Sequence, residues 1–374
     1  MFSQLTFVRQ MRACQVFIPA VVALGLIVSP VFCQNVNSSE IGTQLNGSAA
    51  DFGAYKKQFH RTYEVSSEEF SRRHLSFQRA TIRHTYLNSF STETQSAKYG
   101  INQFSDLSQE EFRDLYLGAV YERAPLFSGL SVKELPDKFD WRDKAAVAPV
   151  QDQQACGSCW AFSVVGAIQS VHAIGGSQLE QLSVQQVVDC SYQNAGCNGG
   201  STTRALNWLK QTRMKLVSQS EYPYKAKTDI CHFFSQSHGG VAVKNFTTYD
   251  FSGQEKAMMG QLVQYGPLVA IVDAVSWQDY LGGIIQYHCS SQWSTHAILI
   301  VGYDTTGDIP YWIVQNSWGT RWGNEGYVYI KIGGNVCGIA DSVAAVFLCV
   351  CVCVCVCVCV CVCVCVCVCV CVCV

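Results

Sequence analysis

Hydrophobic and polar positions along this chain change period several times. An apolar run from Val16 to Val28 follows Arg9 and Arg12, and small and polar residues come after it. From about Asp51 to Gly118 the spacing is helical. Ser66-x-x-Glu69 and Ser108-x-x-Glu111 read as capping boxes that start helices. Between Phe70 and Phe90 apolar residues fall on two sides, Phe70 and Phe77 on one and Leu75, Ile82 and Tyr86 on the other. That pattern predicts packing on both faces. Ala124 to Leu135, with Pro125, Ser128 and Gly129, reads as a linker. Helical spacing returns after Cys159, in Val184–Val188 and in Ala205–Leu209. Beyond Val241 the chain breaks into short apolar or alternating runs bounded by Gly, Pro or Asp: Leu268–Val272, Ala297–Val301, Tyr311–Val314 and Tyr327–Ile332. These are strand signals. A helical half followed by a β half implies an α+β protein with a cleft between the two.

The two ends have a different character. Arg9, Arg12 and the short apolar run have the layout of a secretory signal peptide over residues 1–33, cleaved between Ser29 and Gln34. The run is short for a membrane span, and none is expected. Asn37, Asn46 and Asn245 open Asn-x-Ser/Thr triplets and are glycosylation acceptors if the chain enters the secretory pathway. Residues 349–374 are a perfect Cys-Val repeat. A repeated GT dinucleotide, translated, yields that alternation, so the tail reads as an artefactual appendage to a domain complete near Phe347. Alternating valine is β-forming.

The chain has 374 residues and a formal charge of −2, enough length for a sizeable core and too little positive charge for a nucleic-acid partner. Of 22 cysteines, 13 are in the tail and seven in the body: Cys156, Cys159, Cys190, Cys197, Cys231, Cys289 and Cys337. An odd count in a secreted protein points to one free thiol, and the other six allow 15 connectivities.

Cys156-Gly-Ser-Cys159-Trp160 precedes the apolar segment Trp160–Ile168. A thiol at a helix N-terminus meets unpaired N–H groups and the positive end of the dipole, both of which favour thiolate. A Cys-x-x-Cys pair also occurs as a disulfide or metal site, so the downstream residues decide. His296, in Ser294-Thr-His-Ala297, lies 137 residues on, and Asn316 opens Asn-Ser-Trp-Gly-x-x-Trp-Gly-x-x-Gly-Tyr327. Together these motifs resemble the papain-like cysteine proteases, the cathepsin family. Gly100-x-Asn102-x-Phe104-x-Asp106 extends the resemblance upstream to their prosegments. The helix before it keeps the family's Glu69, Arg73, Phe77 and Asn88 but has Ala80 and His84 where Asn and Ile are expected.

The resemblance implies a two-lobe fold, helical on the left and barrel-like on the right, with an inhibitory propeptide over 34–134 and a peptidase domain over 135–348. It implies Cys159 as nucleophile, His296 as base, Asn316 as its orienter and Gln153 as oxyanion donor. Three bridges follow from it: Cys156–Cys197, Cys190–Cys231 and Cys289–Cys337. Substrate would pair with Gly199 and Gly200, enter a pocket of Ser201, Thr202, Ile271, Ala297 and Ser342, and lie near Trp318, which covers the His296–Asn316 bond. Many relatives have bulkier apolar residues at the first two pocket positions, so this pocket should be more polar or less closed. No insertion resembles the occluding loop of carboxydipeptidases, which favours endopeptidase over exopeptidase action. A non-catalytic protein on the same fold would usually lack the nucleophile. The resemblance further implies a monomer acting on proteins or peptides, its own propeptide and cystatin-type inhibitors as partners, no cofactor or metal, and a lysosomal or secreted destination. The prosegment should fill the cleft in reverse direction and be cut in acid, where Asp106 and the prosegment glutamates lose charge-dependent contacts.

Overall fold

The computed structural model describes residues 51–90, 94–129, 134–235, 237–287, 289, 295–360 and 362–373; the expected leader, Asn37 and Asn46 lie outside these. Ahead of Leu135 run α1 (51–58), α2 (Glu68–Asn88), β1 (Lys98–Tyr99) and α3 (Gln109–Tyr116). The Ser108–Glu111 capping box forms with both reciprocal bonds. At α2 the cap is shifted by one residue: Ser67, not Ser66, accepts from the Phe70 N–H. The expected two-sided packing of α2 does not occur. Leu75, Ile82 and Tyr86 are exposed, and the buried stripe is Ser76, Phe77, Ala80, His84 and Leu87. Hydrophobicity misassigned the face because its inner side also carries polar residues, whose partners come from the β half. Phe77 closes a small aromatic cluster with Phe52 and Tyr55.

The helical lobe holds α4 (Cys159–Ile174), α5 (Val184–Cys190) and α6 (Thr202–Thr212). The other lobe is built on one long sheet, with α7 (Glu255–Tyr265) against it. Its strands are β2 (Lys138–Asp140), β3 (Lys215–Leu216), β4 (Val241–Tyr249), β5 (Leu268–Val272), β7 (Ile284–Ile285), β8 (His296–Asp304), β9 (Tyr311–Gln315), β10 (Tyr327–Lys331) and β11 (Val343–Val360). The order is β3-β4-β11-β5-β8-β9-β10-β7, with β2 on β8. All four expected strand runs form. Strand β8 is buried on both faces. Ala297, Leu299 and Val301 pack with α4–α6, whereas Ile298 and Ile300 join the opposite core. Alternation thus splits one strand between two cores, and the start of β8 falls beside the start of α4.

Two extended pieces of the prosegment dock on the β half. Strand β1 pairs antiparallel with β6 (Tyr280–Gly282). In the expected linker, Leu126 bridges to Asp250, and the Phe127 ring packs edge-on against Tyr249 and tilted against Phe251. The first part of that segment is therefore bound chain; residues 130–133 lie outside the described set. Asn245 is exposed on β4, opposite Phe347. The Cys-Val repeat continues β11 and folds back as β12 (Val362–Cys373), from Cys349 opposite Cys373 to Val360 opposite Val362. No described helix is long and apolar enough to cross a membrane.

Candidate active site

Cys159 is the first residue of α4, and the cap residue Ser158 makes no side-chain bond to the first turn. Among the described residues, disulfides join Cys156 to Cys197, Cys190 to Cys231 and Cys289 to Cys337, and Cys159 is a buried free thiol. The first bridge, with the Gly157 N–H bonded to the Cys197 carbonyl at 2.9 Å, ties the cysteine loop to the Gly199–Gly200 loop. Across the lobe boundary His296 opens β8, and its Nε2 lies 2.8 Å from Asn316 Oδ1. That amide oxygen also accepts from the Ser317 N–H, which fixes its orientation. Trp318 is fully buried, with its ring 4.6 Å from the imidazole. It covers the His296–Asn316 pair.

Gln153 is held at both ends. Its Oε1 accepts from Ser317 Oγ at 2.6 Å, and its Nε2 donates to the Cys156 carbonyl at 2.8 Å. Its own carbonyl accepts from Tyr224, whose hydroxyl is 2.7 Å from Ser158 Oγ. Ser317 and Tyr224 are positioning residues that the sequence reading missed. Ser317 lies inside a quoted motif and could have been found there; nothing in the local sequence marks Tyr224.

The substrate-pocket candidates also converge. Ile271 and Ala297 are register partners on β5 and β8, and the Ile271 N–H bonds the Ser342 carbonyl. Ser201 caps α6 through the Arg204 N–H, so its hydroxyl is partly engaged, and Thr202 is buried beside it.

The prosegment occupies this cleft. Gly200 donates its N–H to the Gly118 carbonyl and accepts from the Val120 N–H, both at 2.9 Å. Bonds to the two residues flanking Ala119 are the parallel pattern. A third backbone bond runs from the Ala119 N–H to Thr295. One residue before Leu117, the Tyr116 carbonyl accepts from Gln153 Nε2 at 3.1 Å. Gly118 has to be glycine: a Cβ there would meet the Gly157 carbonyl oxygen at 2.1 Å.

This cover sets the protonation states. Burial pushes the Cys159 thiol up to about 11, against the opposing pull of the Ala297, Gly118 and Trp160 N–H groups. Burial lowers His296 to about 4, although the bonds to Asn316 and the Tyr116 carbonyl favour its charged form. Both shifts disfavour the thiolate–imidazolium pair in the closed site.

The helical part of the prosegment is held through side chains. Asn102 Nδ2 donates to the Gln278 carbonyl, and Gln278 Nε2 returns bonds to the Phe104 and Leu107 carbonyls. Phe104 and Phe112 pack edge-on against Trp318. Buried Asp106 pairs with Arg61 at 2.9 Å and accepts from the Tyr63 hydroxyl. Arg83 makes a two-point ion pair with Asp279, which is 1% exposed, and His84 Nε2 lies 3.0 Å from the same carboxylate. The departure from the family pattern at His84 therefore falls on a polar contact to the β half.

Comparison with known proteins agrees with this architecture. The family model "Papain family cysteine protease" matches residues 135–347, and "Cathepsin propeptide inhibitor domain (I29)" matches residues 52–112. Cathepsin O of Homo sapiens is 58% identical over 278 residues, 73% of this chain and 87% of that protein. Cathepsin O of Mus musculus is 58% identical over 271 residues, 71% and 87% respectively. Among solved structures, a recombinant stem bromelain precursor superposes with a TM-score of 0.71 at 30% identity, over 80% of this chain and 98% of that one. Digestive procathepsin L2 of Tenebrio molitor gives 0.71 at 30%, over 80% and 99%. The chain belongs to the papain family of cysteine proteases and is a cysteine peptidase made as a proenzyme with an inhibitory propeptide.

Proposed function

We propose that this peptidase is an endopeptidase of lysosomal or secretory-pathway protein turnover, with Cys159, His296, Asn316 and Gln153 as its catalytic set. His296 takes the Cys159 thiol proton, and the Cys159 sulfur attacks the scissile carbonyl carbon, forming C–S as the π electrons move to oxygen. Gln153 Nε2 and the Cys159 N–H donate to that oxygen. The protonated His296 gives its proton to the leaving amine as C–N breaks. Water, deprotonated by His296, then hydrolyses the thioester and restores the thiol. Gly199, Gly200, Ser201, Thr202, Ile271, Ala297, Ser342 and Trp318 bound the substrate cleft. The mature enzyme acts as a monomer and is open to cystatin-type inhibitors. The leader 1–33 directs export, and residues 349–374 take no part in catalysis.

One observation carries this reading: a peptide carbonyl, that of Tyr116, already accepts from Gln153 in the cleft. The parallel pairing of its chain with Gly200 runs opposite to a productive substrate and explains why an occupied site stays uncut.

The test compares two precursors, one ending at Leu348 and one full length. Both are acid-activated and titrated with an irreversible thiol inhibitor. Peptide hydrolysis absent in Cys159→Ala is expected, with kcat reduced about 10²–10³-fold in Gln153→Ala. Equal rates on long and end-blocked peptides mark an endopeptidase; strict dependence on a free terminus overturns that part. Absence of Cys159-dependent hydrolysis in either precursor overturns the whole reading.

A further inference from the structure

Beyond its pairing with Gly200 the prosegment continues outward to Glu122. The Glu122 carbonyl accepts from Ser342 Oγ at 3.3 Å, so this residue still lies on the pocket wall. Its carboxylate meets Arg204 Nε at 2.6 Å, with the two side chains 29% and 47% exposed. Arg204 stands in the first turn of α6, three residues after Ser201 and four after Gly200. A cation at that end of a helix faces the positive pole of the dipole, and that turn of α6 contains no acidic residue to compensate. Helix stability therefore does not explain this arginine. Its carboxylate partner among the described residues is Glu122, and removal of the prosegment leaves the guanidinium free at the cleft rim.

We infer that Arg204 is a specificity-determining residue of the mature enzyme, selecting substrates with an acidic side chain on the N-terminal side of the scissile bond, outside the Ile271–Ala297–Ser342 pocket. This rests on the peptidase reading and narrows its substrate class. Glu122 is the stand-in: the prosegment presents to Arg204 the carboxylate that a substrate would bring. Arginine suits the task because it stays charged at the acidic pH of activation and offers a planar fork of donors. The contact lies away from the reacting atoms, so it affects capture more than chemistry.

The experiment uses acid-activated enzyme and peptides identical except for one Glu, Gln or Lys placed third, fourth or fifth before the scissile bond. Wild type, Arg204→Ala and Arg204→Glu are compared by the Glu-to-Lys ratio of kcat/KM at each position. For wild type, a ratio of roughly three- to tenfold is expected at one of the positions, from one rim attraction gained and one repulsion avoided. The ratio should fall towards one in Arg204→Ala and invert in Arg204→Glu. It should also shrink with added salt. Equal ratios in all three enzymes overturn the inference. If wild type cleaves the Gln peptides in a Cys159-dependent way yet shows no acidic preference, the inference fails alone. If it cleaves none, the peptidase reading fails and takes the inference with it.

Discussion

The prosegment is held on the enzyme in two unlike ways. From α2 to α3 side chains grip it in addition to the β1–β6 backbone pairing: Arg83 on Asp279, Asn102 on Gln278, and Phe104 and Phe112 on Trp318. From Tyr116 to Val120 it is held mainly by backbone, through Gly200, Thr295 and the Gln153 amide. The side-chain region can recognise one partner, because each contact needs a particular residue. The backbone region blocks the site while making few demands on sequence beyond glycine at position 118. Recognition and inhibition are therefore physically separable in one chain.

The largest effect should come from breaking the side-chain region. Asp279→Ala leaves Arg83, 16% exposed, facing a buried site without its counter-charge. Losing one partner of such a pair costs about 3–5 kcal/mol. The urea midpoint for prosegment release should drop accordingly, read from Cys159 alkylation in a precursor ending at Leu348. An unchanged midpoint would mean that the aromatic contacts alone recognise the enzyme.

Gly118→Ala attacks the other region. With the Gly157 carbonyl 2.1 Å from the new Cβ, the strand must lift. Overpacking of this kind costs about 1–3 kcal/mol, so Cys159 alkylation at neutral pH should accelerate about ten- to a hundredfold. Protection of the α2 amides against hydrogen exchange should stay as in the parent. Equal loss of protection in both regions would show that they release as one unit.

Asp106→Asn sits between the regions. It removes the charge that Arg61 and Tyr63 share and should weaken closure by about 1–2 kcal/mol. Processing should then begin at a higher pH; an unchanged pH profile of processing excludes Asp106 from the trigger.

The smallest effect concerns His296. Burial in the closed cleft lowers the His296 pKa from its ordinary 6.5 to about 4, so an open form that restores the ordinary value would bind more protons as pH falls through that interval. Stability of the closed cleft is full above pH 6.5 and lost progressively towards pH 4. Exchange at the Ala119 and Val120 amides should quicken about tenfold on acidification across part of that range, before α2 loosens. Exchange independent of pH, after correction for its intrinsic rate, would remove His296 from the acid response.

Much of this was legible from residue order. The motif around Cys159, the Asn316–Tyr327 run and the Gly100–Asp106 motif mark positions whose chemistry tolerates few alternatives, and the strand runs follow from short apolar or alternating stretches bounded by Gly, Pro or Asp. Other features had no local signature. Strand β1 has two residues and exists through its partner β6. The inner face of α2 was misread because His84 and Arg83 look like solvent-facing residues until Asp279 arrives, almost 200 positions later.

The sequence by itself supplied the candidates for the chemistry: an odd number of body cysteines, and a cysteine, a histidine, an asparagine and a glutamine in motifs that resemble those of one family. Only the tertiary structure decided who covers them, in which direction, and in which protonation state. Reactivity types belong to residues, but burial and backbone pairing belong to neighbours. The neighbours here, Gly118 and Tyr116, act on Cys159 and His296 through main-chain atoms that every residue carries.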